Sequence, residues 1–139
     1  MNEIITQSNI NAPIEKVWEY WTSEQHIINW NFAGNDWYCP NASNDLRAGG
    51  EFHYTMSAKD HSFSFDFWGT YLKIEDKKTI EATLGDGRKL LVNFEAAQNG
   101  TMVTETFEPE QKNPVEMQRA GWQMILDRFK HYAEKTSIG

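Results

Sequence analysis

From Phe52 to Phe107 the chain keeps one rhythm, an apolar side chain at every second position, and then changes once, into a single long amphipathic helix. Phe52, Tyr54 and Met56 share a phase, as do Phe63, Phe65 and Phe67, then Ile80, Ala82 and Leu84, then Leu90, Val92 and Phe94. A period of two puts such residues on one face of a strand. The links A-K-D-H, E-D-K-K, G-D-G and Q-N-G-T are too short for parallel crossovers, and Asp86-Gly87 and Asn99-Gly100 are hairpin signals. With the run that ends at Phe107, this predicts a five-stranded antiparallel meander. After Pro109 and Pro114 the period becomes helical, carried by Val115, Gln118, Trp122, Ile125, Phe129 and Tyr132 or Ala133 to about Lys135. No second long helix exists to cover that face, so it must lie on the sheet.

Upstream, residues 3 to 10 read as one more strand. Pro13 suits the first turn of a helix with Asn11 as its cap, and Ile14, Val17, Trp18 and Trp21 define one apolar face. Thr22 and Gln25 resemble a capping box that opens a second short helix carrying Ile27, Ile28 and Trp30. From Asn31 to Gly50 the chain is crowded with Asn, Gly, Asp and Pro, and reads as a long irregular loop at the rim of a site. The expected fold is therefore α+β, one domain over residues 1–139. A curved antiparallel sheet of about six strands wraps a long C-terminal helix, with two short helices after the first strand.

Four stretches carry a family resemblance: I-N-A-P-I-E-K-V-W, D-L-R-A-G-G-E-F, F-W-G-T-Y-L-K-I and G-W-Q-M-I-L-D-R-F. Together they resemble the SRPBCC superfamily of START-like, helix-grip domains, in the branch similar to the C-terminal domain of the heat-shock protein 90 ATPase activator. N-D-W-Y-C-P and V-T-E-T-F-E-P-E look like a subgroup of small stand-alone bacterial proteins. The resemblance implies a pocket between sheet and long helix for a small hydrophobic or amphipathic molecule. The activator's chaperone contacts need a further N-terminal domain for which 139 residues leave no room.

Charge and motif content narrow the function. A net charge of -7, with no Lys/Arg cluster, disfavours nucleic acid and anionic lipid surfaces. No N-terminal apolar run suits a signal peptide or membrane insertion, and the single cysteine, Cys39, has no partner, so the expected compartment is the cytoplasm. No glycine loop, HExxH, CxxC or G-x-S-x-G is present, and His26, His53, His61 and His131 lack ligand spacing, so no cofactor and no metal is expected. Nothing in the sequence speaks to an oligomeric state.

An aromatic content of 14% exceeds what one helix needs for cover, and aromatics around a few polar groups describe a ligand site. The candidate ligand-binding residues are Phe32, Trp37, Phe52, Tyr54, Phe65, Phe67, Glu105, Trp122 and Ile125. Glu105 is the candidate acid or base. If Val103 and Phe107 face the cavity, it shares their phase; the other register turns Met102, Thr104 and Thr106 inward. Tyr54, Trp37 and Arg119 are conceivable donors to an inward carboxylate. Two alternatives to simple binding remain: a cyclase- or hydratase-type enzyme using Glu105 with Trp37, Tyr54 or His53, and a chaperone-regulating interaction module with an exposed apolar patch.

Overall fold

The structure, a computed structural model, describes residues 3–138. Strand β1 (Ile4–Ile10) is followed by helices α1 (Ile14–Thr22) and α2 (Glu24–Ile27). Six strands follow: β2 (Trp37–Asn44), β3 (Glu51–Ala58), β4 (Ser64–Glu75), β5 (Thr79–Leu84), β6 (Lys89–Ala97) and β7 (Gly100–Phe107). The chain closes with α3 (Val115–Ile138). All seven strands form one antiparallel sheet in the order β1-β7-β6-β5-β4-β3-β2, so β1 returns to pair with the last strand of the meander. This is the helix-grip arrangement.

The alternating runs of β3, β5, β6 and β7 each bury one phase. Ile80, Ala82 and Leu84 of β5 and Thr101, Val103, Glu105 and Phe107 of β7 are all buried. In the β6–β7 turn Asn99 takes a φ of 68°, a left-handed conformation that asparagine tolerates better than most side chains. Gly69 on β4 serves another purpose: a Cβ there would sit 2.8 Å from the Phe52 ring, so its absence lets Phe52 lie across the neighbouring strand.

Over the concave face α3 buries Leu126, Phe129 and Ala133. Trp18 of α1 meets Phe94 of β6 edge-on at 5.1 Å. The outer edge of β1 is bonded to α3 side chains. The Gln7 N–H donates to Gln123 Oε1 (3.4 Å) while Gln123 Nε2 donates to the Gln7 carbonyl (3.2 Å). Lys130 Nζ donates to the Asn9 carbonyl (2.7 Å), and Glu134 Oε2 accepts from the Asn11 N–H (2.8 Å). Among the described residues no helix is long and apolar enough to cross a membrane.

Several expectations need correction. The segment from Asn31 to Gly50 is not one irregular loop, because β2 occupies its centre and raises the strand count from about six to seven. Its alternation is hidden by a register shift between Tyr38 and Asn41 that takes in Pro40. Proline is tolerated there because β2 is an edge strand. Phe63 precedes β4 and is 59% exposed instead of facing inward. Neither short helix has a side-chain cap. Pro13 occupies the cap position of α1 and Ser23 that of α2, while the Thr22 hydroxyl donates back to the Trp18 carbonyl.

Candidate functional site

A cavity of about 360 Å³ lies between the concave face of the sheet and α3. Its floor comes from inward positions of successive strands: Phe52, Tyr54 and Met56 of β3, Phe67 and Tyr71 of β4, and Val92 of β6. Helix α3 supplies the roof with Met117, Gly121, Trp122 and Ile125. A Cβ added at Gly121 would meet nothing within 4 Å, so the missing side chain leaves part of the space open. Trp122 stacks on Phe107 at 3.8 Å and meets Phe67 edge-on at 5.7 Å. It is half-buried, so Trp122→Ala is expected to cost about 2 kcal/mol, below the range for a fully enclosed ring, as the shift in a urea midpoint would show.

One end of the cavity is tied down by Gln118, which is buried on α3. Its Oε1 accepts from the Glu110 N–H (2.9 Å), and its Nε2 donates to the carbonyls of Glu110 (3.1 Å) and Asn113 (2.8 Å). The Glu110 carboxylate accepts from the Asn113 backbone N–H, and this bond is the main cause lowering its pKa below the ordinary range. Arg88 borders the same end with its charge engaged, Nε donating to Asp86 Oδ2 (2.7 Å) and Nη1 to the Glu108 carbonyl (3.2 Å).

Polar groups inside are few. Glu105 lies on the cavity wall, 7% exposed, and Oε1 accepts from the Thr6 hydroxyl at 2.7 Å. Burial pushes its pKa up from 4.5 to about 7 against the opposing effect of that hydrogen bond. Its Oε2 accepts nothing from the described residues. Thr6 is its direct cross-strand partner in the β1–β7 register. Tyr54 and Tyr71 are held protonated: burial raises the Tyr54 phenol well above its usual range and the Tyr71 phenol to about 12. The Tyr71 hydroxyl donates to Asn44 Oδ1 on β2. Asn31, just past α2, also borders the cavity; it is 5% exposed, and its Nδ2 has no partner among the described residues.

The structure brings Phe52, Tyr54, Phe65, Phe67, Glu105, Trp122 and Ile125 together around this space, with Phe65 at its edge, 41% exposed. It leaves two candidates outside. Phe32 lies beneath the Arg128 guanidinium at 4.5 Å, and Trp37 packs on Phe63 and Phe65 at 6.1 and 5.9 Å. Arg119 is no donor to Glu105, because it pairs with Glu116 one turn back along α3. His53 stands on the convex face, stacked on Trp68, its ring nitrogens 2.7 Å from Asp66 Oδ2 and 2.8 Å from Glu51 Oε1. Hydrogen bonds to Asp66 and then Glu51 raise its pKa, and it cannot reach a substrate in the cavity. His26 bonds Tyr132 through Nδ1 at 2.6 Å. The Cys39 thiol is buried, donates to the Asn41 carbonyl and is pushed up to about 11 by desolvation. Among the described residues no three His, Cys, Asp or Glu side chains converge as a metal site would require.

Sequence reasoning missed Thr6, Asn31, Tyr71, Arg88 and Gly121. Thr6 was recoverable by pairing the first and last strands and reading across from Glu105. Asn31 had no signal, since no period runs through the turn after α2.

Residues 11–134 match the model of a family described as "Activator of Hsp90 ATPase homolog 1-like protein". The solution structure of an AHSA1-like protein from Aeromonas hydrophila is 38% identical, covering 99% of this chain and 96% of its own, with a TM-score of 0.93. A solution structure from Cytophaga hutchinsonii is 46% identical over 98% of this chain and 94% of its own, with a TM-score of 0.83. A crystal structure from Nitrosomonas europaea, 16% identical over 99% and 97% of the two chains with a TM-score of 0.83, shares the fold. No curated protein matches the chain.

Proposed function

The chain belongs to the family of Activator of Hsp90 ATPase homolog 1-like proteins, and on that premise we propose that it is a single-domain binding protein for a small hydrophobic or amphipathic molecule, working in the cytoplasm. Helix-grip domains of this kind commonly hold hydrophobic ligands. The observation that carries the reading is the cavity itself. At about 360 Å³ it falls in the range of small-molecule sites, roughly 300–1,000 Å³, and its wall is mainly aromatic and aliphatic with a few polar groups.

Two other readings receive less support. A hydratase or cyclase would need a second acid–base group facing Glu105, and the other titratable wall residues are two phenols held protonated, Arg88 and Glu110 at the mouth. The exposed aromatics Phe63 and Phe65 form an apolar patch with Trp37, yet Phe65 also borders the cavity, so we assign the patch to ligand entry.

Trp21, Trp30 and Trp122 line the space, so their emission should report an occupant. Titration with the neutral probe N-phenylnaphthylamine is expected to give a saturable change. Gly121→Leu should abolish that change while preserving the cooperative melt, because leucine there grows into open space on a helix. A folded protein with no saturable response to this probe would remove the binding reading.

A further inference from the structure

Glu105 stands apart from the other groups on the cavity wall. Its backbone is paired on both sides, opposite Thr6 of β1 and Val92 of β6, so the 7% of its surface that stays exposed belongs to its side chain, which borders the cavity. The Thr6 hydroxyl occupies Oε1 at 2.7 Å, and Oε2 accepts nothing from the described residues. Nor is Oε2 sealed in. Among the described residues the side-chain atoms both unpartnered and enclosed are Asn31 Nδ2 and Arg128 Nε. A free acceptor therefore opens on the cavity.

Its surroundings favour one class of head group. The wall carries Trp21, Trp30, Phe52, Tyr54, Phe67 and Trp122, and aromatic rings attract cations over their faces. The cation on the wall, Arg88, is already engaged by Asp86 and the Glu108 carbonyl. The second carboxylate, Glu110 at the mouth, accepts from the N–H groups of Lys112 and Asn113. An incoming carboxylate thus meets two acids and no free base. An ammonium must give up its hydration to enter an apolar space, and a charge-assisted bond to Glu105 offsets that cost. A hydroxyl can use the same oxygen, but without the charge it gains less.

Resting on the binding function above, we propose that the ligand is a lipophilic amine, its ammonium donating to Glu105 Oε2 and its apolar body lying among the aromatic side chains of the wall. A proton balance follows. With its pKa pushed up to about 7 by burial, Glu105 is partly protonated near neutrality in the empty cavity. An arriving ammonium keeps its own protons, and the carboxyl proton leaves to solvent as the carboxylate forms the pair. The other groups with shifted pKa values on the wall do not supply that proton: the Tyr54 and Tyr71 phenols are raised, and Glu110 is held below its ordinary range. Strands β1 and β6 set Thr6 and Val92 beside Glu105, and α3 gives the wall no ionisable side chain.

The test sets decylammonium, decanol and decanoate against one another as displacers of N-phenylnaphthylamine, which separates cavity binding from attraction of a cation to the acidic surface. At about pH 8.5 an alkylammonium, like that of lysine at ~10.4, keeps its charge. Decylammonium is then expected to displace most tightly, about tenfold ahead of decanol and on the order of a hundredfold ahead of decanoate. Glu105→Gln should bring the ratio of decylammonium to decanol affinity down to about one, with a thermal melt establishing that the variant is folded. Calorimetry of decylammonium at about pH 7, in buffers of different ionisation enthalpy, should show a proton released by the unmodified protein and none by the variant. Decanol or decanoate matching decylammonium in the unmodified protein would overturn the proposal, as would a ratio indifferent to the substitution or the absence of a released proton. If N-phenylnaphthylamine saturates the cavity and decylammonium does not displace it, this proposal falls and the binding function stands. If N-phenylnaphthylamine itself fails to saturate, both fall.

Discussion

Phe129→Ala is expected to lower unfolding free energy by about 3–5 kcal/mol, the cost of emptying a fully enclosed aromatic site. Phe129 is 0% exposed on the inner face of α3. Its ring takes Trp30 edge-on at 4.7 Å and Trp21 edge-on at 4.9 Å, while Trp21 meets Phe94 of the sheet at 5.6 Å. One side chain thus joins α3, the end of α1, the turn after α2 and, through Trp21, strand β6. Neighbouring aromatics cannot collapse into the void, because each is held by contacts on its far side. A urea titration would read the loss as a lower midpoint at unchanged slope. A loss under about 1 kcal/mol would mean that α3 is not anchored through this ring.

Glu105→Gln should have the opposite sign, and only above acidic pH. The glutamate's pKa rises from 4.5 to about 7 on folding because burial disfavours the charge. Below the lower value both folded and unfolded states hold the proton, and the group has no effect. Between the two values the unfolded chain releases the proton while the folded protein keeps it, so stability falls as pH rises. Above about 7 the loss is complete, and the two values translate into on the order of 3 kcal/mol. Tyr54 and Tyr71 stay neutral throughout this window, so they do not contribute to the slope. Glutamine never ionises. Denaturant titrations of both proteins at about pH 4 and about pH 8 should show equal stability in acid and a more stable variant in base. Parallel curves across that range would show that Glu105 ionises in the folded protein as freely as in water.

The meander was legible because period two and short turns constrain each other: with Asp86-Gly87 and Asn99-Gly100 as hairpin turns, the alternating runs of β5 and β6 fall on adjacent antiparallel strands and β7 must follow beside them. For Glu105 the sequence left two registers open, and the burial of Val103, Glu105 and Phe107 selects the one in which the carboxylate faces inward. What failed was β2, where the bulge beside Pro40 breaks the alternation on which strand recognition depends. Phe63 failed for a related reason. Extending a phase one step past the start of β4 treats a turn residue as a strand residue. Phe32 and Trp37 lie on either side of an irregular turn, where no periodicity carries direction from one residue to the next. Asn31 sits in the same stretch, so the least patterned part of the chain contributed a buried polar side chain at the border of the cavity.

An open sheet has two margins, and each is a template on which another chain can add a strand. At one margin, Gln123, Lys130 and Glu134 bond backbone groups of Gln7, Asn9 and Asn11, so the helix occupies part of the place where a foreign strand would dock. At the other, Pro40 removes a donor and the bulge beside it bends β2 out of register. The two devices together guard an aromatic-rich, open-edged protein against the edge-to-edge aggregation its composition would otherwise invite.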